Sequence, residues 1–267
     1  MNTNQRLISF DLKAEMCFLK KPDINDGIYL TYNMLHKPAL LGILGAIAGM
    51  KGYKENGVLP EYYERLNHLK VGIQPGEESD KGNFTKDIVS YNNSTGFASN
   101  EEGGNLIVIE QIMIKPSYRC FLLLNLDNDD EKTLYDNILS YKAEFLPYLG
   151  KNDFSAWWTD VREYDSFDKF DFSHDYKIAS IFVKTEAISG YVARTMSMFS
   201  LESKKFPFLY FEKLPIDLEG KDKNGKRLYQ YSYADFVYSN ASFKGEMNMS
   251  KAGEFYQIDE ERIIQLY

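Results

Sequence analysis

Cysteine, tryptophan and histidine are scarce in this chain: two, two and three among 267 residues. Cys17 and Cys120 each sit inside an apolar stretch, with no Cys-x-x-Cys and no histidine at ligand spacing. That pattern excludes a disulfide framework and a cysteine-based zinc site. Long hydrophobic runs are missing as well. The longest, Pro38 to Met50, spans 13 residues, too few to cross a bilayer. No basic segment followed by an apolar core opens the sequence, so it reads as neither secreted nor membrane-spanning, with the cytoplasm as the expected compartment. Also lacking are the Lys-Ser/Thr of a P-loop, His-Glu-x-x-His, an EF-hand loop, and Gly-x-Ser-x-Gly or Gly-x-Gly-x-x-Gly after a strand. The acids of Glu61-Tyr-Tyr-Glu and Asp127 to Glu131 therefore read as solvated helix and turn carboxylates, and no cofactor is expected.

What the chain does have is aromatic bulk. Twenty Tyr and 18 Phe, with 44% hydrophobic residues, are incompatible with disorder. The net charge of −8 argues against a uniformly basic surface coating nucleic acid. The charge is unevenly spread, though: residues 1–54 balance at +3 and the remainder at −11. Any polyanion site is local.

Arg6 to Ala14, apolar on both parities, predicts a strand buried on much of both faces. Pro38 to Met50 predicts a buried helix. Its Gly42, Gly45 and Gly49 share one face and imply a backbone passing close by. Asn67 to Gln74 reads as a short strand. The polar span 75–105 contains apolar residues around Asn92-Asn93-Ser94-Thr95-Gly96, the pattern of a projecting hairpin. Leu106 to Lys115 and Tyr118 to Leu126 read as a hairpin turning at Lys115-Pro116-Ser117, and Lys132 to Leu146 as a helix with Leu134, Ile138, Tyr141 and Phe145 on one face. The expected class is α+β. A ferredoxin-like (RRM-like) domain, 1–150, carries an inserted β-hairpin thumb at about 75–105, and residues 151–267 form a smaller β-rich part of short strands.

Leu30-Thr-Tyr-Asn-Met-Leu-His-Lys-Pro-Ala-Leu-Leu-Gly-Ile-Leu-Gly-Ala-Ile-Ala-Gly resembles the N-terminus of the Cas-five family of CRISPR-associated RAMP proteins. Lys115-Pro-Ser-Tyr-Arg-Cys-Phe-Leu resembles the family's central hairpin, and Pro147-Tyr-Leu-Gly-Lys its Pro-Tyr-Leu-Gly-basic signature. The span before residue 105 resembles its thumb, and the pattern is most like the type I-B branch. The likeness covers about the first 155 residues. Pro38 departs from it, standing where many members have Ser or Thr.

The resemblance implies a subunit of a type I Cascade that caps the 5′ handle of the crRNA and joins the Cas-seven backbone to the Cas-eight large subunit. It would meet target DNA only through the complex. An RNA handle needs cations for phosphates and flat side chains for unstacked bases. Lys20, Lys21, Tyr32, His36 and Lys37 flank the start of the buried helix, whose N-terminus offers free N–H groups. Lys115, Arg119 and Lys151 lie at turns or on the central hairpin, and Tyr91, Asn92 and Phe97 on the thumb. These are the expected RNA-binding residues, and no catalytic residue is expected. The alternative is a metal-independent endoribonuclease working through Tyr, Lys and His. Of His36, His68 and His174, only His36 stands near a lysine and a tyrosine, Lys37 and Tyr32.

Overall fold

Ile8, Phe10, Leu12 and Ala14 alternate along the first strand and enter the main core, while Leu7 on the other parity joins a second cluster. Both faces of this strand are thus used. The computed structural model describes residues 4–23, 27–93, 106–184, 208–223, 226–243, 253–260 and 262–267. Their elements are β1 (Gln5–Ala14), β2 (Met16–Cys17), β3 (Ile28–Tyr29), α1 (Lys37–Ala48), α2 (Glu61–Leu66), β4 (Lys70–Pro75), β5 (Lys86–Asn92), β6 (Ile107–Ile114), β7 (Ser117–Asn125), α3 (Asp129–Leu139), β8 (Ala156–Tyr164), β9 (Asp168–Lys169), β10 (Tyr176–Ile178), β11 (Phe182–Val183), β12 (Leu209–Lys223), β13 (Lys226–Ser239), β14 (Ser242–Phe243), β15 (Glu254–Gln257) and β16 (Arg262–Leu266). The protein is mixed α+β, with strands far outnumbering helices.

The first sheet is antiparallel, in the order β4-β7-β1-β8. The boundary expected after residue 150 falls inside it, because Ala156–Tyr164 supplies its fourth strand. On one face α1 and α3 bury Leu40, Leu44, Ile47, Leu134 and Ile138. The other face is partly covered from the C-terminal half: Ile264 and Leu266 of β16 and Tyr256 of β15 pack on Leu7, Phe121 and Leu123. Main-chain bonds in both directions tie Val71 to Tyr267, at 3.2 and 3.1 Å.

The expected hairpin 106–126 does not form. Both strands exist, but β6 pairs with β2, β3 and β5, whereas β7 pairs with β1 and β4. Between them Lys115 takes a left-handed φ of 48° and donates its N–H to the Glu15 carbonyl at 2.9 Å, which sends the chain from one sheet into another. Periodicity reports a strand and its buried face; it carries no information about the partner. β6 instead pairs antiparallel with β5, in register from Lys86↔Met113 to Asn92↔Ile107.

Two helices also differ from expectation. α3 begins with Asn128, whose side chain accepts from the N–H groups of Asp130 and Glu131, a strong N-cap. It stops at Leu139, since Tyr141 adopts a φ of 55°; Tyr141, stacked on Trp158, and Phe145 are exposed rather than buried in the core. In α1 the close neighbour of Gly42 and Gly45 is the side chain of Tyr62 on α2, not a backbone; Gly49 is the left-handed C-cap. The short C-terminal strands expected near 208–211 and 229–238 are parts of one long hairpin, β12–β13, running from Leu209↔Ser239 to Lys223↔Lys226. Leu214 and Phe236 from this hairpin, with Ile181 and Tyr267, belong to the same core as α1.

Candidate nucleic-acid interface

Before α1 the chain doubles back on itself. Tyr32 N–H bonds the Leu19 carbonyl at 2.8 Å, Lys21 N–H bonds the Leu30 carbonyl at 2.9 Å, and the Thr31 hydroxyl accepts from Leu19 N–H at 2.9 Å. This short ladder holds Lys20 and Lys21 beside two rings. The exposed Lys20 ammonium stands 3.9 Å from the Tyr29 ring centroid, and Lys21 5.3 Å from that of Tyr32. Such pairs contribute about 0.5–1 kcal/mol where exposed.

Glu212 of β12 fastens the ladder to the C-terminal hairpin. Its nearly buried carboxylate accepts from the main-chain N–H groups of Asn33 and Met34, both at 2.9 Å, and from the Tyr210 hydroxyl at 2.8 Å; Lys21 lies 3.8 Å away. Asn33 continues the network toward β5. Its amide donates to the Gly82 carbonyl at 2.5 Å and accepts from Phe84 N–H at 3.0 Å and the Lys86 ammonium at 2.6 Å. The Tyr118 hydroxyl donates to its carbonyl at 2.7 Å. Burial lowers the Lys86 pKa, and nearby Glu212 opposes that shift. Sequence reasoning missed Glu212, Lys86 and Asn33, and no local signal marks them.

The helix start itself is closed. His36 is the N-cap, buried, with Nδ1 accepting from Ala39 N–H at 3.3 Å and its ring set edge-on to Tyr32 and Tyr231. Burial pushes its pKa down to about 3. The N–H groups expected to receive a phosphate are therefore partly used, and His36 is a neutral cap rather than a surface cation. Tyr32 is buried too. Burial and a side-chain hydrogen bond with Tyr233 push its hydroxyl pKa up. Lys37 turns to the Tyr267 main-chain oxygen at 3.2 Å, and burial lowers its pKa.

Arg119 is neutralised in place. Asp11 at 2.8 Å and Asp160 bind the same guanidinium nitrogen, beside a recess of about 350 Å³ that Arg162 and Lys13 also line. Asp160 lies on β8, the strand that sequence reading did not find. Lys151 is likewise engaged, donating to Glu110 and to the Tyr91 hydroxyl, each at 2.7 Å. Burial works against its charge, yet these two bonds leave its pKa raised. Gly150 before it has a φ of 86° and is so close to the Phe18 carbonyl that no Cβ fits. Lys151, Tyr91 and Glu110 thus pin the distal half of the β5–β6 pair to the Pro147–Gly150 turn. Lys115 is exposed, at the crossover between sheets; Asn92 is exposed at the end of β5. Phe97 lies outside the described residues.

The structure therefore brings Lys20, Lys21 and Tyr32 together and assigns Lys151 and Tyr91 to a separate clamp. It adds Lys213, whose ammonium stands 5.6 Å from the ring of Tyr233, which reaches Tyr32 through the rings of Tyr231 and His36. No cluster of three or more His, Cys, Asp or Glu suited to a metal occurs among the described residues, and no described helix is long and apolar enough to cross a membrane.

No family model matches the chain, and no curated protein matches it. Solved structures do resemble it. A chain of a CRISPR RNA-guided surveillance complex is 11% identical, over 87% of this chain and 90% of its own, with a TM-score of 0.47. A CRISPR protein from Archaeoglobus fulgidus is 11% identical over 98% of both chains, with a TM-score of 0.41. A functionally uncharacterized protein, SMU1763c from Streptococcus mutans, is 11% identical over 96% of this chain and 100% of its own, with a TM-score of 0.40.

Proposed function

We propose that this chain is a non-catalytic crRNA-binding subunit of a type I Cascade, most like the I-B branch, which caps the 5′ handle and contacts the Cas-seven backbone and the Cas-eight subunit in the cytoplasm. The β-α-β-β-α-β order β1-α1-β4-β7-α3-β8, with its antiparallel sheet, supports a ferredoxin-like unit. The β5–β6 hairpin supports a thumb. One observation carries the functional reading: Lys20 on the half-buried Tyr29 ring, with Lys21 beside it over the buried Tyr32, all held by the ladder and by Glu212, offers two cations and one accessible ring together. That is the chemistry a splayed RNA strand requires. The burial and capping role of His36 support binding without cleavage, since a neutral ring committed to a helix N–H is a poor acid or base.

The test uses the purified protein and end-labelled cognate repeat RNA in EDTA, run on native and denaturing gels across a salt series. Intact RNA with a salt-sensitive shift is expected, and Lys20→Ala with Lys21→Ala should flatten the salt slope by roughly one for each phosphate that the variant no longer neutralises. Cut RNA would establish the endoribonuclease reading instead. Failure to co-purify with Cas-seven, Cas-eight or crRNA on co-expression would count against the assembly role.

A further inference from the structure

The β12–β13 hairpin presents two different sides. On β12, Glu212 and Leu214 turn inward, to the Asn33–Met34 amides and to the core. The alternate residues Phe211 and Lys213 are exposed, Phe211 by 52%. Strand alternation places both on one side. The Lys184 ammonium stands 5.6 Å from the Phe211 ring, and that of Lys213 5.6 Å from the Tyr233 ring. Tyr233 is itself 38% exposed and lies 6.3 Å from Tyr231. Two surface rings, each accompanied by a lysine, thus adjoin the N-terminal cluster through the ring contacts that run from Tyr233 to Tyr231, His36 and Tyr32.

Asp235 faces Lys213 across the ladder, so phosphate attraction along this side is weak and the rings supply most of what it offers. Unpaired bases stack on such rings whatever their sequence, because every base has a π-face. We propose that Phe211 and Tyr233 form a stacking ledge for unpaired bases of single-stranded RNA, continuing the strand held at Lys20 and Lys21. This extends the interface into a part of the chain that the sequence resemblance does not reach, and it rests on the RNA-binding reading above.

The experiment crosslinks the full chain to a short uridine-rich single-stranded RNA carrying iodouridine, maps the attached peptides, and measures affinity by fluorescence anisotropy for Phe211→Leu and Tyr233→Leu. Leucine keeps apolar bulk and removes the ring. Adducts at Phe211 or Tyr233, with affinity reduced about tenfold per substitution and an unchanged salt slope, are the expected result. Adducts confined to residues 18–37, with full affinity in both leucine variants, overturn the ledge and leave the handle reading standing. No salt-sensitive binding by the unaltered chain overturns both. Normal RNA binding by the leucine variants together with loss of Cas-seven co-purification overturns the ledge in favour of a protein contact.

Discussion

Glu212 accepts hydrogen bonds from both Asn33 and Met34, although 179 residues separate it from the first of them. A single side chain from the second half of the protein therefore sets the backbone from which α1 departs. Glu212→Gln keeps the size and loses the charge, leaving one oxygen to serve two amides. Hydrogen bonds to charged groups contribute about 1.5–3 kcal/mol, so urea unfolding should show a loss of about 2 kcal/mol. A variant as stable as the parent would remove Glu212 from this role.

The two glycines facing Tyr62 predict opposite outcomes. A Cβ at Gly42 would lie 3.7 Å from the Tyr62 ring, an ordinary contact, whereas one at Gly45 would lie 2.3 Å from Tyr62 Cβ. Gly42→Ala should stabilise by up to about 1 kcal/mol through helix propensity. Gly45→Ala should destabilise, by about 1–3 kcal/mol, since helix α2 must shift. Thermal melts of the pair decide it, and shifts of the same sign would contradict this packing.

Lys151 and Glu110 form a largely buried ion pair beside the β5–β6 hairpin, the Glu110 side chain being 7% exposed. Lys151→Met strands that carboxylate and should cost about 3 kcal/mol. Adding Glu110→Gln should restore part of the loss. A double-mutant cycle with no coupling would show that the hairpin does not depend on this pair.

His36 makes stability pH-dependent in a known direction. Its pKa falls from 6.5 to about 3 on folding because burial disfavours the charged ring. The unfolded chain therefore takes up a proton first. The contribution is fully present above pH 6.5 and is lost as the pH falls from there toward 3, at a slope approaching 1.4 kcal/mol per unit. Between pH 6.5 and 5 the carboxylates contribute least, so this is the window to measure. His36→Asn, which keeps a capping oxygen, should flatten the slope there; an unchanged slope would assign it to other groups.

The elements built on local pattern were legible in the sequence: the Ile8, Phe10, Leu12 alternation, the apolar helix before Gly49, and a strand through Ile88 and Tyr91. What was not legible is which elements meet. Ile107–Ile114 and Ser117–Asn125 look like a hairpin because turn residues lie between them, but the Glu15 carbonyl captures Lys115 and the strands part. At the candidate site, the placing of Lys20 and Lys21 beside aromatics was legible in the local sequence. The pairing of Arg119 with Asp160 was not, and Glu212, Lys213 and Tyr233 went unnoticed because distant sequence brings them near residues 32–36. Long-range partners of this kind leave no periodic trace.

The wide gap between Asn33 and Glu212 also has a temporal meaning. At about 5–20 residues per second on the ribosome, Glu212 is made on the order of ten to forty seconds after Asn33. Until then the Asn33 and Met34 amides have only water for partners, and the lysine–tyrosine ladder lacks its anchor. A nascent chain halted before Leu209 would hold the four strands of its first sheet with an unlocked lysine–tyrosine edge, so maturation of that edge waits for the end of translation.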